Sequence, residues 1–167
     1  MYVLKEIRDR QNISDIIWTF REASRAVLFD EDNLVPLLYV SKFHYHKLPG
    51  GGVDDGESIE QAVKRECLEE VGVEIDIQGD VGKIIEFRSQ HKLKQVSYCF
   101  YGKVVSKNKP NFTQQELDQG FEIVWMPLEE AISQMANDEP QNYEGTFIQE
   151  RDLEFLKKTE QIMKEGK

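Results

Sequence analysis

The chain has 167 residues, 40% of them hydrophobic, and a net charge of −10. This suits one domain spanning 1–167 with enough apolar side chain to bury a core. It excludes a transmembrane helix, since apolar runs reach only a few residues. It also argues against a broad basic surface for duplex nucleic acid or an anionic membrane. Small phosphorylated ligands stay open, because a metal ion can invert a local field.

The N-terminal stretch MYVLKEIRDRQ lacks the apolar run of a signal peptide. Cys67 and Cys99 make no disulfide framework and read as small core residues. A cytoplasmic location is therefore expected. Residues 1–20 carry little pattern. Ser24 to Phe29 has β character, Glu31 to Asn33 reads as a turn, and Val35 to Val40 as a buried strand. Lys47 to Gly52 is expected to be a loop, because Pro49 is followed by three glycines.

Ser58 to Val71 carries the strongest helix pattern. Ser58 and Gln61 match a capping box, and Ile59, Ala62, Val63, Cys67 and Val71 form an apolar stripe at helical spacing. Gly72 stands where a left-handed cap closes a helix. Val73 to Ile77 follows as a short strand. Lys83 to Arg88 and Val96 to Val105 then form a hairpin around Ser89 to Lys94. Glu122 to Met126 is a further strand, and Pro127 opens a helix to about Met135. Residues 147–167 contain a charged amphipathic helix from Phe147 to Met163, with Arg151-Asp152 expected on its solvated face. Strands interleaved with helices and hairpins predict an α/β (α+β) chain, a mixed sheet with helices on its faces.

Glu66, Glu69 and Glu70 fall at i, i+3 and i+4 of the expected helix and so share one face. At about 6 Å and an effective dielectric of about 20, each like-charged pair costs roughly 2–3 kcal/mol, or a few tenths if fully exposed. Arg65 offsets only part of this. A hard cation, Mg²⁺ or Mn²⁺, accepts such oxygens, keeps several waters and bridges to a phosphate. A solvated acidic face is the plain alternative for three glutamates alone. Here they sit among fixed neighbours: Gly51, Glu57, Arg65, Glu66, Glu69, Glu70 and Gly72, a set that matches by chance on the order of 10⁻⁹ per start position.

The run Gly51-x5-Glu57-x7-Arg65-Glu66-Cys67-x-Glu69-Glu70-x-Gly72-Val73 resembles the signature of the Nudix (MutT-like) hydrolases. Cys67 departs mildly from the usual bulky aliphatic residue. The flanking Leu48 to Gly52 and Trp125 to Ala131 are also similar to that family, and the looser likeness extends over Arg25 to Ile132. The resemblance implies an α/β/α sandwich around a mixed sheet. It implies metal-dependent hydrolysis of a pyrophosphate bond in a nucleoside diphosphate linked to another moiety. Carried onto this chain, it makes Glu69 and Glu70 metal ligands, and Glu66 a metal ligand or the general base. Arg65 orients the glutamates. Glu57 is an outer or additional metal contact, and the carbonyl of Gly50 or Gly51 completes the coordination. An acidic residue from Asn111 to Gly120 is expected to join them, Glu116 first, then Asp118, with Glu122 beyond.

Gly51 and Gly52 let backbone approach a substrate closely, and His46 is a candidate pocket residue beside Tyr45. Trp18, Phe20, Phe43 and Tyr45 are candidates to stack on a base. His91, Lys92 and Lys94 form a basic hairpin tip. The expected substrate is a small nucleotide, with oxidised nucleoside triphosphates, ADP-ribose, dinucleotide polyphosphates, nucleotide sugars and capped RNA ends as members of the class. Acidity weighs against RNA. A homodimer is left open. The competing reading is a Nudix-fold module that senses a nucleotide without turnover, although such modules usually lose signature glutamates.

Overall fold

The computed structural model describes residues 1–167 as eight strands and four helices. One mixed sheet holds, in spatial order, β1 (Val3–Arg8), β6 (Val73–Arg88), β7 (Leu93–Lys107), β2 (Thr19–Phe29) and β5 (Gly50–Gly52). β1 runs parallel to β6 and β2 parallel to β7, while β6–β7 and β2–β5 are antiparallel. A second, antiparallel sheet holds β4 (Tyr45–Lys47), β3 (Leu34–Val40) and β8 (Phe121–Pro127). The expected single mixed sheet is thus divided into two.

Side chains alternate across a strand, and this sorts the core. Val27 of β2 joins Ile84 and Cys99 on one face of the large sheet, against Met135 of α3 (Leu128–Asn137) and Phe155 and Leu156 of α4 (Tyr143–Glu165). Ala26, Leu28 and Phe100 turn to the other face and meet Val63, Cys67 and Val71 of α1 (Ile59–Val71). Helices on both faces give the α/β/α layering. Both cysteines are free and buried. No helix is long and apolar enough to cross a membrane.

The local signals for α1 act as expected. Ser58 Oγ accepts from the Gln61 N–H at 3.1 Å, and Gln61 Oε1 accepts from the Ser58 N–H at 2.9 Å. Gly72, at φ 76°, closes the helix. Other boundaries differ. The glycines after Pro49 do form a strand: β5 pairs Gly50 to Gly52 with Arg25 to Ala23 at the sheet edge, where glycine is tolerated. Val73–Ile77 and Lys83–Arg88 are one strand, because register shifts at Ile77/Gly79 and Asp80/Gly82 carry β6 through its glycines without ending it. β2 begins at Thr19, β1 was not foreseen, and a short helix α2 (Gln114–Asp118) forms where only a loop was expected.

Arg151 and Asp152 correct a further expectation. Both are fully buried and not on a solvated face. Arg151 donates to Asp152 Oδ1 at 2.7 Å and to Glu86 Oε2 at 3.3 Å, and Asp152 Oδ2 accepts the Leu48 N–H at 2.9 Å. These bonds tie α4 to β6 and to the residues just before β5.

Candidate active site

Short β5 lies between β2 and α1 and brings the glycines of the signature against its glutamates. A Cβ at Gly51 would stand 2.5 Å from Glu66 Oε1, so only glycine leaves room for that carboxylate over the backbone. Gly50 takes φ 145°, a conformation open mainly to glycine, and its N–H donates to Glu70 Oε1 at 2.7 Å. Together Gly50, Gly51, Gly52, Glu66 and Glu70 form one wall of a cleft of about 480 Å³.

Arg65 organises the outer part of the cluster. Its Nε and Nη2 donate to both oxygens of Glu57 at 2.8 and 2.9 Å, its Nη1 to Glu66 Oε1 at 2.9 Å, and its Nη2 to the Gly52 carbonyl at 3.0 Å. Glu69 Oε2 lies 3.4 Å from Nη1. The hydrogen bonds to Arg65 hold the Glu57 carboxyl below its ordinary range, and the Glu57 bonds in turn raise the guanidinium. Glu69 is shifted up, by burial and then by the negative charge of Glu66.

Glu70 points inward and is 1% exposed. Burial pushes its carboxyl up to about 7, although Lys47 Nζ at 3.1 Å and the Gly50 N–H act in the opposite direction. Glu66 and Glu116 both add repulsion at Glu70. The carboxylates around the cleft are therefore undercompensated, and their donors are all oxygen, which suits a hard divalent cation. As the side chains stand, no three of them close a coordination set. Arg65 supplies the positive charge at Glu57 and Glu66, so these side chains must turn to bind a cation. The donor chemistry fits Mg²⁺ or Mn²⁺; the rotamers do not prearrange a coordination set.

Of the three downstream acids, Glu116 alone lines the cleft. It does so from the capping box of α2, where its Oε1 accepts the Thr113 N–H at 2.9 Å. Asp118 accepts from Gln114 on the exposed side of α2, and Glu122 lies opposite Tyr39 on β8. Arg65, Glu57 and Glu69 are not among the residues that line the cleft, and the Glu69 side chain is partly open to solvent. His46 is not brought to the cleft. β4 alternation sends Tyr45 and Lys47 there, while the buried His46 ring sits 3.0 Å from Asp138 and 4.6 Å from the Tyr39 ring. Phe43 and Tyr45 line the cleft; Trp18 packs edge-on to Phe87, and Phe20 is 57% exposed. His91 pairs with Glu144 at 2.8 Å at the surface.

Sequence reasoning missed the cationic side of the cleft: Arg21, Arg25, Lys47 and Arg88. One signal was present. Arg21, Ala23 and Arg25 share a face once β2 is extended back to Thr19, because positions i, i+2 and i+4 of a strand point the same way.

Residues 19–146 match the family model described as a NUDIX domain. The chain is similar to Nudix hydrolase 7 of Arabidopsis thaliana, 34% identical over 93 residues, covering 54% of this chain and 31% of that protein. It is similar also to the mitochondrial Nudix hydrolase 17 of the same plant, 29% identical over 124 residues, covering 73% of this chain and 64% of that one. The chain thus spans between just under a third and just under two thirds of these relatives. In structure it is similar to the MutT protein of Methanosarcina mazei Go1, with a TM-score of 0.63 and 21% identity across 88% of this chain and 97% of that chain, a likeness of fold.

Proposed function

The chain belongs to the Nudix family, and we propose that it is a metal-dependent pyrophosphohydrolase acting on a small nucleotide, a nucleoside diphosphate linked to another group. The observation that carries this reading is the meeting of Gly51, Glu66 and Glu70 at one cleft wall while Arg65 holds Glu57 and Glu66 from behind. Named relatives are Nudix hydrolases, which supports the hydrolytic reading over a sensing module.

Glu66, Glu69, Glu70, the Gly50 carbonyl and Glu116 would hold Mg²⁺ or Mn²⁺, with Glu57 as an outer contact that fixes Arg65. Such a cation, when bound, neutralises charge on the pyrophosphate and acidifies water. The chain's own residues do the rest. Arg65 engages Glu66 Oε1, so Glu66 would either turn to the cation or use Oε2 to accept the proton of the attacking water. Lys47 and the Gly50 N–H fix the Glu70 carboxyl against the cleft. Gly51 and Gly52 admit the substrate close to backbone, and Phe43 and Tyr45 offer an aromatic side for a base.

The test is a nucleotide panel with product identification, with Mg²⁺ or Mn²⁺, on the wild type and on Glu66→Gln and Glu69→Gln. Wild-type cleavage of a pyrophosphate bond, lost to at least about a hundredfold in Glu66→Gln, is expected. Turnover that survives both substitutions removes the site assignment.

A further inference from the structure

Arg21, Arg25, Arg88 and Arg151 stand together on the α4 side of the large sheet, in rows set by strand pairing. Glu86 of β6 is opposite Gln95 of β7, and Gln95 is opposite Arg21 of β2. Two carboxylates answer these four guanidinium groups. Glu86 accepts from Arg88 at 2.8 Å and Arg151 at 3.3 Å, and Asp152 accepts from Arg151 at 2.7 Å. Arg21 donates only to the neutral Gln95. Arg25 is 4% exposed, and its Nε and Nη1 have no partner at all.

An unpaired buried guanidinium is costly. Burial, and after it the nearby Arg151, lower the Arg25 guanidinium to about 10. Arg21, Arg25 and Arg88 all line the cleft that Glu66 and Glu70 also line, and the Arg21 guanidinium lies beside Gly52. The cleft therefore holds its carboxylates together with two guanidinium groups that pair directly with no carboxylate.

We infer that Arg25 and Arg21 form an anion subsite that takes a terminal phosphate of the substrate, so the preferred substrates carry a phosphate end beyond the bond that is cleaved. The preference for phosphate-ended substrates rests on the proposed hydrolysis; the anion subsite itself does not. Guanidinium groups bind phosphate through paired, charge-assisted hydrogen bonds. A neutral sugar in the same place would leave both uncompensated.

The experiment has a binding arm and a turnover arm. In the first, metal-free protein is titrated with inorganic phosphate, with chloride at matched ionic strength as control, following thermal unfolding and ³¹P line width. The wild type is expected to gain stability with phosphate and broaden the line. Arg25→Gln is expected to lose both responses while its phosphate-free unfolding temperature stays equal or rises, and Arg25→Lys to recover part. Should Arg25→Gln fail to fold, Arg21→Gln replaces it with the same expectation. In the second arm, a nucleoside triphosphate is compared with a nucleoside diphosphate hexose. Arg25→Gln is expected to lower kcat/KM at least about tenfold for the first and little for the second. No phosphate response beyond the chloride control, or a response that both substitutions leave intact, overturns the subsite. Equal losses on the two substrates overturn the phosphate-end preference. An Arg25-dependent phosphate response without cleavage of either substrate supports the subsite and counts against the hydrolase alone.

Discussion

Arg65 meets Glu57 through two parallel hydrogen bonds, Nε to Oε2 at 2.8 Å and Nη2 to Oε1 at 2.9 Å. The pair spans the turn before α1 and fixes the guanidinium so that its remaining nitrogen faces Glu66. Lysine keeps the charge but cannot make this fork. Arg65→Lys is expected to fold normally, since the arginine is half-buried and surface-type ion pairs contribute about 0–1 kcal/mol. Its kcat should fall about 10–100-fold, the usual effect of losing a group that orients a ligand. Glu57→Gln should lose a similar amount, and the double variant no more than either alone. Steady-state kinetics across a Mg²⁺ series check this; additive losses would mean that the two residues act separately.

The space at Gly51 makes a second prediction. A methyl group there would stand 2.5 Å from Glu66 Oε1 and push the carboxylate out of line. The backbone of β5 keeps its pairing to β2, so Gly51→Ala should leave unfolding temperature within a few degrees. Activity should drop about a hundredfold, as expected for displacing a reacting group by about 1 Å. Activity retained at the wild-type level would show that Glu66 works from another rotamer.

Glu86 lies fully buried between Arg88 and Arg151. Burial alone pushes its carboxyl up, but the two guanidinium charges outweigh burial and hold it at about 2. The unfolded chain binds that proton more tightly than the folded one. The stabilisation is therefore complete above about pH 4.5 and is lost as pH falls toward 2. Glu86→Gln leaves both arginines short of a partner and should cost about 3–5 kcal/mol at neutral pH, about 10 °C in unfolding temperature. The variant should also show a shallower fall in stability between pH 4.5 and 2 than the wild type, by thermal denaturation at each pH.

The same residue shows where reading the chain stops. Ser58, Gln61 and Gly72 announce α1 because their partners lie within a turn, and Val35 to Val40 announces β3 because burial on both sides leaves a continuous apolar run. The signature brings Gly51, Glu66 and Glu70 close in sequence pattern, and all three line one cleft. Glu86 and Arg151 are 65 positions apart, so neither helix nor strand periodicity links them. Arg151-Asp152 looks like solvated charge until a β6 carboxylate is found beneath it. His46 fails for a smaller reason: a three-residue strand turns it away from the cleft and gives the place to Tyr45 and Lys47. The arginines of β2 were hidden by reading the strand from Ser24, which left Arg21 outside it.

Glu70 gives a pH dependence of opposite sign to Glu86. Its carboxyl is raised to about 7, first by burial, with Lys47 and the Gly50 N–H opposing. The folded chain keeps this proton more tightly than the unfolded one. The associated stability is fully present below about pH 4.5 and is lost as pH rises through about 7. In metal-free protein, Glu70→Gln should therefore unfold at a higher temperature than the wild type at pH 8, with the gap closing toward pH 5. A divalent cation must displace the proton to use this carboxylate. Calorimetric titration of Mg²⁺ or Mn²⁺ into the wild type at pH 6, in two buffers of different ionisation enthalpy, should show proton release that fades by pH 8. Heats that do not depend on the buffer at pH 6 would remove Glu70 from the ligand set.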